Sequence, residues 1–126
     1  MHDAIQYRSG IHYFRPAGEY TLVGAVDAIN GAIRCCRAQT GDRLLINTTA
    51  MTGVPIPNLI DRFLMVEEWA ETADGEVVVV LVVSPQYIHP QKFGMVVARH
   101  LGLMADVYDD EPAALAWLES ADTSRA

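Results

Sequence analysis

Apolar positions run along this chain in two rhythms, one of strands and one of helices. Residues 5–8 and 11–15 have strand character, and Ser9-Gly10 between them is a two-residue hairpin signal. Pro16-Ala17-Gly18 then breaks the pattern. Leu22, Val26, Ile29, Ile33 and Cys36 recur at three- and four-residue spacing. That spacing predicts a helix over residues 22–39, capped by Thr21 and stopped by Gly41. Asp27, Asn30, Arg34 and Arg37 fall on its other faces. Interior Gly costs about 1 kcal/mol in helix propensity, so Gly24 and Gly31 suggest close backbone approach.

Residues 44–47 form a short apolar strand, followed by a polar, Pro-containing loop from Thr48 to Pro57. A second helix opens at Pro57 or Asn58 and ends near Ala73, with Leu59, Phe63, Val66, Ala70 and Ala73 as its expected core stripe. The run EVVVVLVV over residues 76–83 reads as a central strand buried on both faces. Pro90 fits the first turn of a third helix ending at Gly102, with Phe93, Val96, Val97, His100 and Leu101 on its inner side. Residues 103–108 are the last strand. Asp109-Asp110-Glu111-Pro112 opens a fourth helix held down by Ala114, Leu115, Trp117 and Leu118. The order ββαβαβαβα predicts a single α/β domain with a mixed sheet of about five strands and four helices. Its core spans about residues 4–120, and a tail over 121–126 is expected to fray.

Composition narrows the function classes. Sixteen acids against nine bases give a net charge of −7, and Lys92 is the one lysine beside eight arginines. Nucleic-acid and anionic-membrane binding both need clustered cations, so neither is expected. The longest apolar run, Val77 to Val83, is far short of the ~20 residues of a membrane helix. The first ten residues hold no apolar core of signal-peptide length, and the expected location is cytoplasmic. Cys35 and Cys36 are adjacent, so they read as small hydrophobes on a helix and not as a disulfide or redox pair.

Candidate chemistry is sparse. Thr48, Thr49 and Thr52 lie in a loop after a strand, where open α/β sheets bind ligands. Local turn and cap bonding explains the same hydroxyls, and no nearby base would activate one. Tyr87 follows the central strand and reads as a half-buried ring with a solvated hydroxyl, at the rim of the same crevice. His2, His12, His89 and His100 lack ligand spacing, so no metal is expected. Asp106, Asp109, Asp110 and Glu111 sit where a helix start favours acids. No nucleotide fingerprint is present, and no cofactor is expected. Leu64, Met65 and Trp69 fall outside the expected core stripe of the second helix, which suggests an interface or ligand patch.

The element order resembles the STAS-type fold of the anti-sigma-factor antagonists. LLINTTAMTGVPIPNLIDRFLM looks like that family's third strand, switch loop and following helix. PQYIHPQKFGMVVARHLGL and LGLMADVYDDEPAALAWLES are similar to the third helix and the ending of the small bacterial SpoIIAA-like group. The resemblance runs from about Ala17 to Ser120. Antagonists that work by phosphorylation carry Asp-Ser-Ser-Gly or a close variant where this chain has Pro55-Ile56-Pro57-Asn58. Ile56 stands where the phosphorylated Ser would be, and Thr52 is the nearest hydroxyl upstream. The resemblance therefore implies the fold and not the phospho-switch. Comparison of that group with the Sec14 lipid-carrier fold implies an apolar ligand, by fold analogy alone.

The expectation is a non-catalytic binding or regulatory module that acts through protein contacts as a homodimer. The second helix and its preceding loop (Thr48, Thr49, Thr52, Ile56, Asn58) would carry the contact. The alternative is a carrier of an apolar small molecule or lipid, with a pocket between the second and third helices lined by Leu64, Trp69, Phe93 and Met95.

Overall fold

The computed structural model describes residues 5–121; His2 and the tail after Ala121 lie outside the described residues. The chain opens with a hairpin, β1 (Ile5–Arg8) and β2 (Ile11–Phe14). Its turn residues Ser9 and Gly10 both have positive φ, 54° and 83°, as a tight hairpin turn of this hand requires. Then follow β3 (Ala17–Glu19), α1 (Leu22–Ala38), β4 (Arg43–Asn47), β5 (Ala50–Thr52) and α2 (Leu59–Ala73). The remainder is β6 (Val78–Val82), a 3-10 turn at Pro85–Tyr87, α3 (Phe93–His100), β7 (Ala105–Tyr108) and α4 (Glu111–Ser120).

The main sheet has the order β1-β2-β4-β6-β7, antiparallel at the opening hairpin and parallel elsewhere. It is the expected mixed five-stranded α/β sheet. Each parallel strand is added on the same side of the one before, so crossovers of one hand put their helices on one face. Accordingly α1, α2 and α3 share one core, in which Ile29, Ile33, Val66, Trp69 and Val97 meet Leu44, Ile46, Val79, Leu81 and Val107. Alternate strand residues point the other way. There Leu45, Val78, Val80 and Val82 pack under Ala114 and Leu118 of α4. Strand β6 is buried at all five positions, as its unbroken apolar run requires.

Helix starts are set by their caps. Thr21 accepts from the Gly24 N–H at 3.0 Å, and Asp110 accepts from the Ala113 N–H at 3.1 Å. Asn58 and Asp61 form a reciprocal capping box at α2. Arg43 ties down the far end of α4, donating to the Leu118 and Ala121 carbonyls.

Several elements differ from expectation. Ala17–Glu19 is not only a break, and the loop after β4 is not structureless. β3 and β5 pair in parallel as a second, two-stranded sheet. Three residues are too few to display a strand rhythm. The third helix begins at Phe93, not Pro90, after Lys92 in the left-handed region at φ 51°. On its expected inner side Val96, His100 and Leu101 are exposed, whereas Val97 and Ala98 are buried. Asn30 is buried on α1, and a Cβ at Gly31 would meet open space, so no close approach occurs there. The close approach is at Gly41, where a Cβ would lie 2.5 Å from the His12 ring and 2.8 Å from the Cys36 sulfur.

Candidate functional site

The loop leaving β4 begins at the carboxyl end of the parallel sheet. The Thr48 N–H and hydroxyl both donate to the Val82 carbonyl, at 2.9 and 3.3 Å. The Thr49 N–H and hydroxyl donate to Asn47 Oδ1 at 3.0 and 2.6 Å. Thr52 lies on β5, and its carbonyl accepts from the Tyr20 N–H. Asn58 is the α2 cap, and Ile56 is exposed. These hydroxyls and the amide hold the loop in shape, and no base is bonded to either Thr hydroxyl to make it a nucleophile.

Helix α2 presents two apolar faces. Its buried arc is Val66, Trp69 and Ala73, with Met65 and Ala70 half-buried beside them. Trp69 is 4% exposed, and its Nε1 donates to the Val26 carbonyl of α1 at 3.2 Å. Trp69 and Met65 therefore do not face outward as an interface patch, one of the two roles expected of them; both turn inward. Nor is the core stripe built on Leu59 and Phe63, which are 50% and 41% exposed. The buried arc is turned by roughly 50° about the helix axis from the expected one, at 100° per residue. The reason is that α2 lies between α1 and α3 and must fill both seams, which brings Met65 and Trp69 inward. The outward face of its first two turns is then Leu59, Ile60, Phe63 and Leu64, with Ile60 70% exposed. The outward face of its last two turns is acidic, with Glu67, Glu68 and Glu71 exposed. Asp27, Asp61 and Glu68 line the groove that Leu64 shares with Val23 and Val26 of α1.

On the inner side of α2 a cavity of about 110 Å³ lies between the three helices and the loops at the sheet's carboxyl end. Trp69 and Met95 line it, as expected of a pocket between the second and third helices. Leu64 and Phe93 do not: Leu64 points outward, and half-buried Phe93 packs on the core and against the His89 ring. Of the five loop candidates, Thr48 alone reaches the cavity. Its roof is tied across two loops, because the Tyr87 hydroxyl donates to the Val54 carbonyl. Tyr87 is half-buried at the rim, but its hydroxyl is bonded and not solvated. Arg62 of α2 adds a second tie, donating to the Pro57 and Tyr87 carbonyls at 3.2 and 3.0 Å.

Compared with family models, with curated proteins and with solved structures, the chain matches none. Function has to be read from the geometry itself.

Two charged clusters border the same end of the sheet. Arg15 donates to both carboxylate oxygens of Glu111, at 3.1 and 2.9 Å, and Asn47 Nδ2 adds a third bond at 3.0 Å. The Arg15 bonds hold the Glu111 carboxyl below the usual carboxylate range. This network joins the first turn of α4 to the ends of β2 and β4, a structural task. Lys92 pairs with Asp106 at 2.9 Å and sits 4.9 Å from the centre of the Tyr108 ring. Burial, then the charge of Asp106, pushes the Tyr108 hydroxyl up. Asp109 and Asp110 stay at the α4 start, Asp110 as its cap.

The Cys36 thiol is not a nucleophile by this geometry. Cys36 is fully buried, and burial pushes it up to about 12, so it stays protonated. His12 is also buried, its Nε2 3.0 Å from Gln39 Oε1 and its ring against Tyr7. Among the described residues no group of three or more His, Cys, Asp or Glu is placed to hold a metal ion. Among them, too, no helix is long and apolar enough to cross a membrane.

Ile60 was missed by the sequence reading. The available signal was that α2 has apolar residues at nearly every angle of its first two turns, more than one core can absorb.

Proposed function

We propose that this domain is a non-catalytic interaction module that docks a partner on the outward face of α2. The observation that supports it best is the exposure of Ile56, Leu59, Ile60, Phe63 and Leu64, all between 41% and 70%, on and just before one helix. The core side of that helix is filled by other residues, so these five do not hold the fold together. At such exposures they present on the order of 500 Å² of apolar surface, at the upper end of the largest patches on monomers.

Charge and size select the partner. Asp27, Asp61, Glu67, Glu68 and Glu71 line the α1–α2 grooves beside the patch, with Arg34 as the cation in that lining. A two-fold pairing of this face brings acidic rim against acidic rim on a chain of net charge −7. Like charges brought together at an interface are strongly unfavourable. The patch also falls short of the ~800 Å² per partner of a standard stable interface. A basic amphipathic helix, apolar on one stripe and flanked by Lys or Arg, meets both conditions and fits the groove mode of helix recognition.

The test uses a fluorescent helical peptide of Leu and Lys, its Leu and Glu counterpart, and light scattering of the protein alone. The proposal expects a monomer that binds the Leu–Lys peptide more weakly as salt rises, and an Ile60→Asp variant that stays folded but binds at least tenfold more weakly. Equal binding of the Leu–Glu peptide, or an Ile60→Asp variant that binds normally, overturns it. A stable dimer dispersed by Ile60→Asp would instead support self-association.

A further inference from the structure

The cavity behind α2 is lined by none of the five exposed apolar residues of the docking face, and its chemistry is different. We infer that it is a binding site for a small uncharged apolar molecule, about the size of one aromatic ring.

The wall is mainly apolar, with its polar groups at the border. Val26, Ile29, Val66, Leu81 and Val107 form much of the lining. Polar side chains that border it also bond within the protein. The Trp69 indole donates to the Val26 carbonyl, the Tyr87 hydroxyl to the Val54 carbonyl, the Arg62 guanidinium to two carbonyls, and the Lys92 ammonium to Asp106. A charged group entering the space between those aliphatic walls would lose its hydration there. An apolar molecule loses nothing on entry and removes its own surface from water.

Size narrows the class further. A dry cavity of roughly 150 Å³ lined by aliphatic and aromatic side chains is large enough for benzene. The cavity here, about 110 Å³, is on that scale. Pockets that enclose larger organic ligands run to ~300–1,000 Å³, so an acyl lipid does not fit. Met51, Met65 and Met95, three of the five methionines, line the cavity. Their unbranched side chains let it adjust to a ring or a short branched chain. The position also suits a ligand, since it lies at the carboxyl ends of parallel strands.

The experiment titrates the full chain, labelled at its methionine methyl groups, with toluene and separately with benzoate, and follows the methyl resonances by NMR. Toluene is expected to shift Met51, Met65 and Met95 saturably, with a Kd of about 1 mM or tighter. Met104, exposed and outside the cavity, should not move. Benzoate at equal concentration should leave all of them in place. Two filling variants, Ala25→Leu in the wall and Val54→Phe in the roof, should weaken toluene binding at least tenfold. If Ala25→Leu fails to fold, Val54→Phe, at a half-buried loop position, gives the same readout. Absence of a saturable shift, equal response to benzoate, or full toluene binding in a folded filling variant overturns the inference.

Discussion

The indole Nε1 of Trp69 donates to the Val26 carbonyl at 3.2 Å, bonding α2 to α1 across the seam above the sheet. With Trp69 inward, the opposite side of the helix faces solvent. Replacing Trp69 by Ala should destabilise the domain by about 3–5 kcal/mol. Trp69→Phe keeps most of the volume and removes the indole bond, while the Val26 carbonyl keeps its helical one, for a loss of about 0.5–1.5 kcal/mol. Urea unfolding of the three proteins gives the order directly. A Trp69→Ala variant as stable as the parent would mean the indole is not in the core.

Substitutions on the outward face should behave oppositely. Ile60→Asp and Leu64→Asp remove exposed apolar surface and no core contact. Their stability change should stay within about 0.5 kcal/mol, as for surface positions away from special features. A loss as large as that of Trp69→Ala would place these side chains in a core.

Gly41→Ala should be costly for a different reason. The new methyl would lie 2.5 Å from the His12 ring and 2.8 Å from the Cys36 sulfur, both on buried residues with little room to yield. Overpacking of this kind costs about 1–3 kcal/mol. Gly31→Ala, where a Cβ meets open space, should instead stabilise by up to about 1 kcal/mol through helix propensity. Thermal unfolding of the pair should therefore move in opposite directions.

Acid sensitivity follows from Glu111. Its folded carboxyl titrates below the ordinary value because Arg15 donates to it. A depressed carboxyl contributes stability that is present above the unfolded pKa and lost as pH falls through the folded one. The melting-temperature gap between the parent and Glu111→Gln should be largest near neutral pH and should close on acidification below the usual glutamate range. Both partners are about a third exposed, so the gap should also shrink with added salt. A gap constant with pH would show that the carboxylate charge is not involved.

Sequence rhythm carried the main sheet well, and the reasons are particular. The run at β6 can only be a strand buried on both faces, and the caps Thr21, Asn58 and Asp110 each start the helix they precede. The pairing of Ala17–Glu19 with Ala50–Thr52 was not legible, because three-residue strands of small and polar residues have no period to detect. For α2 the sequence offered two apolar stripes, one through Leu59 and Phe63 and one through Met65 and Trp69. Periodicity cannot choose between them. The choice is made in three dimensions, by the neighbours α1 and α3 and by the Val26 carbonyl that receives the indole bond. The cavity was half legible: Trp69 and Met95 were named for it, whereas the roof tie from Tyr87 to Val54 joins residues far apart in the chain.

The most direct test of docking on α2 is an NMR titration of the isotope-labelled chain with an unlabelled Leu–Lys helical peptide at moderate salt. The account predicts amide shifts concentrated at Ile56 to Leu64 and along the α1–α2 groove to Glu71, with α4 unchanged. Shifts confined to α4 or the β1–β2 hairpin, or none at all, would contradict it.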